Sequence, residues 1–329
     1  MVLVFWESVE SSGHARCVSM NDQASELRSL VSATATPWAE PNLSPPYMAV
    51  LVGAKAGVGT TTLSVNMSIA LAQLGHRVVL VDAHLGRSDV AEMCRMRERY
   101  GIFDLLAARR DIHEILEPGP LGIQVLPGTW GPEDPAEISQ FSKQRLVSRL
   151  LTLSPHADWV VVDAGSQSGT LLADLCKAAR TVCVVTSPET ISVMDAYATI
   201  KSLVQGSFVP SLRLVVNQAT SQHVSDDVNT RLTKSCERFL RVPLGTGFTV
   251  PWDEQIISAA EVGGLLMTKS PTSPAARAVE KLVTSLVANF ETGQKGVAVA
   301  RSFDSKQRSA RFSKKNDRHD TWKKIKKNV

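Results

Sequence analysis

Lys55, Gly57, Gly59, Thr60, Thr61 and Thr62 cluster in the stretch Tyr47 to Leu74, YMAVLVGAKAGVGTTTLSVNMSIALAQL, where an apolar run breaks into a glycine-rich turn. Gly57 and Gly59, with Val58 between them, let the chain turn so tightly that successive N–H groups point into one hollow. An amphipathic helix opening near Thr60 adds its positive N-terminal end, and such a hollow suits a polyphosphate. The general phosphate-loop pattern G-x-x-x-x-G-K-[ST] is met only at Gly59 and Thr61, because Ala54 stands for the first glycine and Thr60 for the lysine. The bland reading of the same residues is a ligand-free turn between strand and helix. Two carboxylates belong with the loop: Asp82 ends the apolar run from Arg77, and Asp163 ends the run from Asp158. Strand ends of this kind are where open α/β sheets present ligand groups, and Asp163 suits a water held on Mg²⁺.

The elements that must position these groups read as buried strands alternating with helices. Arg77 to Asp82, Asp158 to Asp163, Thr181 to Thr186 and Leu212 to Val216 are continuous apolar runs, as parallel strands covered on both faces are. The spacing predicts a doubly wound α/β domain over residues 47–290, with a mainly parallel sheet and helices on both faces. Its later parts are short helices at Gly101 to Leu106 and Asp111 to Leu116, a strand at Gly122 to Leu126, and helices at Glu254 to Val262 and Pro274 to Phe290. The chain has 329 residues, 43% of them hydrophobic, enough for one sizeable core with tails. Its five cysteines include no C-x-x-C pair, which argues against a disulfide framework or a zinc site and for a cytoplasmic protein. No apolar run approaches the roughly 20 residues a membrane span needs, and the start lacks the form of a signal peptide.

The loop segment Lys55-Ala56-Gly57-Val58-Gly59-Thr60-Thr61 resembles the deviant Walker A motif KGGxGK[ST] of the MinD/ParA family of dimeric ATPases. That resemblance implies ATP and Mg²⁺ as ligands, with the loop from Lys55 to Thr62 around the phosphates and Lys55 reaching the nucleotide of a second copy in a homodimer. It gives Thr61 and Asp163 the magnesium, the latter through water, and places Asn217 and Pro251 beside the adenine. Asp82 and His84 fall where the family carries D-x-D, whose second carboxylate positions the attacking water. A neutral His84 can orient water but supplies no fixed negative charge, and a solvent-facing loop residue is the alternative reading. Thr60 likewise removes the lysine that neutralises β- and γ-phosphates, so hydrolysis is expected to be weak or absent. The stretch Ser187 to Lys201 resembles the family's TTPExxSxxDAYxxIK, beside its dimer interface.

Ahead of the domain, Asp22 to Arg28 match the DQAxxLR motif of the FlhG (FleN, YlxH) branch, which regulates flagellar number and placement. This implies that residues 20–32 form an activator helix, with Asp22, Gln23, Ala24, Leu27 and Arg28 contacting an FlhF-like SRP-type GTPase and flagellar switch-complex proteins as further partners. Residues 1–19 read as an extension before an alternative start at Met20, and 33–46 as a proline-rich tether. Residues 301–329 hold eleven Lys or Arg against three Asp, a local balance of +8 in a chain of net +4. In this basic tail, residues 291–329, Trp322, Lys323, Lys324, Ile325, Lys326 and Lys327 resemble a short membrane-targeting helix, so the dimer is expected on an anionic membrane surface. Nucleic acid is the less favoured anion. Two other functions fit parts of the pattern: a pseudo-ATPase scaffold acting through the N-terminal motif, and a CpaE/TadZ-like pilus-positioning protein, which would leave DQASELR unexplained.

Overall fold

The computed structural model describes residues 44–84, 89–97, 100–128, 138–205, 211–261 and 264–290. The DQASELR segment, the tether up to residue 43 and the basic tail lie outside the described residues. The strands are β1 Tyr47–Gly53, β2 Val78–Asp82, β3 Glu117–Pro118, β4 Gln124–Leu126, β5 Trp159–Asp163, β6 Thr181–Thr186, β7 Ser211–Ala219 and β8 Gly245–Pro251. They form one sheet in the order β3-β4-β2-β5-β1-β6-β7-β8. Every pairing is parallel except that of β3 with β4.

Every residue of β1, β2, β5 and β6 is buried, which is why these strands read as unbroken apolar runs. Side chains alternate between the faces, so Met48, Val50 and Val52 join one core while Tyr47, Ala49 and Leu51 join the other. The longer helices are α1 Thr60–Gln73, α2 Gln140–Leu151, α3 Thr170–Ala178, α4 Thr190–Val204, α5 Gln222–Ser235 and α6 over residues 274–290. Helices α2 to α5 cover the first face through residues such as Leu146, Leu175, Ala196 and Val228. Helices α1 and α6 cover the second through Leu63, Met67, Val279 and Leu286. The arrangement is the expected doubly wound sheet. The chain runs from β1 to β2 on one side and from β5 to β6 on the other, so the strand order reverses around β1 and β5. A crevice opens there beyond their carboxyl ends.

Two elements differ from the sequence reading. Helix α1 is not amphipathic: ten of its fourteen residues are buried. It is closed over by α6 and by the turn Leu266–Lys269, whose Met267 N–H donates to Asn66 Oδ1 at 3.1 Å. Its serines fit there because Ser64 and Ser68 donate to the carbonyls of Thr60 and Ser64, at 3.0 and 2.8 Å. Strand β7 runs past Val216 through Asn217 to Ala219, over an irregularity in its pairing with β8 and a left-handed Gln218 at φ 59°. Both amides therefore leave the sheet edge at fixed angles, with consequences for the loop beyond β1.

Candidate nucleotide-binding site

The loop after β1 is pinned on two sides. Gly53 N–H donates to Gly165 O at 2.7 Å, and Ala54 N–H to Val185 O at 2.8 Å, so the turn starts from the ends of β5 and β6. Gly57 and Gly59 hold φ values of 83° and 86°. A Cβ on Gly59 would overlap the Asn217 side chain, whose Nδ2 donates to Val58 O at 2.8 Å. Next to it, Gln218 Nε2 donates to Gly57 O at 3.0 Å. Two amides of β7 thus tie down two successive loop carbonyls, and Leu63 N–H closes the first turn of α1 onto Gly59 O at 3.0 Å.

Beneath the loop, Asp82 and Asp163 sit side by side on neighbouring strands, both fully buried. Asp163 Oδ1 accepts from Gly165 N–H at 3.1 Å, while its Oδ2 has no hydrogen-bond partner. Burial pushes the Asp163 carboxyl up, and the adjacent Thr61 hydroxyl pulls it partly back. Asp82 accepts from the N–H groups of His84 and Val90 at 3.1 and 3.4 Å. Burial, and after it the charge of Asp163, nonetheless push its carboxyl up to about 8. Among the described residues no group of three His, Cys, Asp or Glu could hold a metal by itself. The donor set fits Mg²⁺ of the kind that keeps its waters: one threonine hydroxyl, phosphate oxygens, and a buried carboxylate oxygen wanting a donor such as a metal-bound water.

The loop walls a cleft of about 740 Å³ with Lys55, Gly57, Gly59, Thr60, Thr61 and Thr62, faced by His84, Asp89, Glu92, Arg95, Gly165 and Ser166. Val58, Asp82, Asp163 and Asn217 lie behind that wall, and Pro251 pairs with Ala219 at the end of β8. His84 is partly buried: its ring lies over Gly165, where a Cβ would overlap it, and its Nδ1 is 3.8 Å from Asp89 Oδ2. Lys55 pairs with the Glu189 carboxylate. Glu189 stands at the N-cap position of α4 but makes no capping bond, its side chain being turned to the lysine instead. Sequence reasoning did not assign Glu189, Gln218, Gly165, Asp89, Glu92, Arg95 or Ser166 to the site. Gly165, following a strand-end aspartate in Asp163-Ala164-Gly165, is the one with a local signal; the others arrive by tertiary folding.

A glycine turn opening a helix, over a buried acidic floor at the carboxyl edge of a parallel sheet, defines a P-loop nucleotide-binding protein. The ParA family model, described as NUBPL iron-transfer P-loop NTPase, matches residues 46–287. The antiactivator FleN of Pseudomonas aeruginosa is 30% identical over 237 residues, 72% of this chain and 85% of FleN. The flagellum site-determining protein YlxH of Helicobacter pylori is 28% identical over 183 residues, 55% of this chain and 62% of YlxH. In fold, the septum site-determining protein MinD complexed with Mg-ADP from Pyrococcus horikoshii superposes with a TM-score of 0.60 at 19% identity, over 73% of this chain and 96% of that one. The chain belongs to the ParA/MinD family of P-loop NTPases.

Proposed function

We propose that this protein is an ATP-controlled regulator of flagellar placement and number that works as a homodimer. The observation that carries the reading is Lys55, the early lysine of the loop, standing in the cleft wall and held by an ion pair at its mouth. In this reading the loop from Gly57 to Thr62 holds the phosphates of ATP, Thr61 and, through a water, Asp163 hold Mg²⁺, and Lys55 leaves Glu189 to meet the nucleotide of a second copy. Bound Mg²⁺ supplies charge neutralisation for the β- and γ-phosphates. The identities with FleN and YlxH, together with DQASELR, support the flagellar assignment.

Light scattering tests the switch. Excess Mg-ATP is expected to double the solution mass, and Lys55→Ala to remain monomeric; no change in mass for the wild type, with no heat of ATP binding, would overturn it. A variant lacking residues 20–31 should keep its fold and lose stimulation of an FlhF-like GTPase, and one lacking residues 301–329 should leave anionic vesicles. Unchanged stimulation or unchanged vesicle binding would remove the corresponding partner. A second reading, a scaffold that binds nucleotide with little turnover, is favoured by Thr60 and His84. Thr60 is buried with its Oγ1 against Gly53, and the only full cations among the described residues lining the cleft are Lys55 and Arg95. Single-turnover hydrolysis separates the two.

A further inference from the structure

His113 and His156 face each other with ring centres 4.8 Å apart and planes inclined by 66°. His113 lies in the helical turn Ile112–Ile115, and His156 in the turn between α2 and β5. Both side chains are exposed, yet both backbones are fixed. Ile112 and Ile115 flank one histidine and Leu153 and Ala157 the other, all four buried in the same core. Asp111 caps the first turn, and Arg149 on α2 bridges to it at 3.1 Å. In the second, the N–H groups of His156 and Ala157 both donate to Leu153 O at 2.8 Å. The pair stands near the amino end of β5, whereas the nucleotide cleft lies beyond its carboxyl end.

We propose that these two imidazoles form a binding site for a nitrogen-preferring first-row dication, Zn²⁺, Ni²⁺ or Cu²⁺. An ion bound to one nitrogen of each ring at about 2.0–2.1 Å sets the ring centres roughly 4.5–5.2 Å apart for angles between square and tetrahedral. The observed 4.8 Å falls inside that range. The rings are inclined edge to face rather than stacked, and each can turn about its soft terminal torsion. No third His, Cys, Asp or Glu completes the set among the described residues, so the remaining positions belong to water and the ion exchanges freely. Hard Mg²⁺, which takes oxygen ligands, does not compete for it. Occupancy ties residues 111–116 to the end of α2 and stabilises the folded chain by mass action.

The test is Ni²⁺ titration calorimetry, with thermal melts, on the full chain in excess Mg²⁺, for wild type, His113→Ala, His156→Ala and, as a control, the exposed His223→Ala. The expected result is one Ni²⁺ per chain, weakened at least about tenfold in either variant of the pair and unchanged in the control. The rise in Tm on adding Ni²⁺ should vanish with it. Equal heats in all four proteins, or loss in only one variant of the pair, would each overturn the site.

Discussion

Replacing Gly59 with alanine is expected to abolish ATP binding and to lower the unfolding free energy by about 2–5 kcal/mol. Two physical effects add. The left-handed backbone at φ 86° costs a residue with a Cβ about 1–2 kcal/mol. The new methyl also overlaps Asn217 Nδ2, so the amide must let go of Val58 O, and a buried carbonyl without its donor costs about 1–3 kcal/mol more. Gly57→Ala separates the effects, because Gly57 is equally left-handed but a Cβ there meets nothing within 4 Å. It should show the backbone cost alone. Urea unfolding and ATP calorimetry on both variants, and on Gly59→Ala combined with Asn217→Gly, make the comparison. Unchanged ATP affinity in Gly59→Ala would mean that the loop is not a phosphate cradle.

Asp82→Asn is expected to flatten the pH dependence of stability between about pH 4 and 8. The folded chain holds the Asp82 carboxyl near 8, against an ordinary value of 3.8, so in that window it binds a proton that the unfolded chain has released. The favourable contribution is therefore complete below about pH 3.8 and is lost as pH rises through 8. At 1.36 kcal/mol per unit the upper bound is about 6 kcal/mol, and relaxation of the site brings the expected loss to a few. The asparagine has no proton to lose, and its Oδ1 can still accept from the His84 or Val90 N–H. Urea unfolding of both proteins at pH 5 and pH 8 reads the effect as a stability difference that moves in favour of the variant at the higher pH. Parallel losses in the two proteins would show that Asp82 is ionised in the fold throughout.

The centre of the molecule is legible in the sequence and its margins are not. Strands β1, β2, β5 and β6 are covered on both faces, which demands unbroken apolar runs, and their carboxyl ends deliver Lys55, Asp82 and Asp163 to one crevice. Strand β3 has two residues, and β8 begins Gly-Thr-Gly with its first three positions exposed, so neither carries a strand pattern. Asn217 reads as a residue beyond a strand because nothing local announces the irregularity that keeps it inside β7. The partner of Lys55 lies 134 residues away, and a glutamate before a helix looks like a cap until the lysine is seen against it. Helix α1 carries enough serine and asparagine to look half-exposed, since backbone and Met267 bonds that satisfy those groups are invisible in one dimension.

At the amino end of β1, Tyr47 packs against Trp159 at 4.3 Å between ring centres and against Phe290, the last described residue of α6, at 5.8 Å. The first strand of the domain and its last helix therefore close on one another like the two halves of a clasp, at the pole of the sheet away from the cleft. A chain built this way is suited to circular permutation: a short peptide joining residue 290 to residue 47, with new ends opened in a surface turn, would leave every strand pairing and the whole phosphate loop in place.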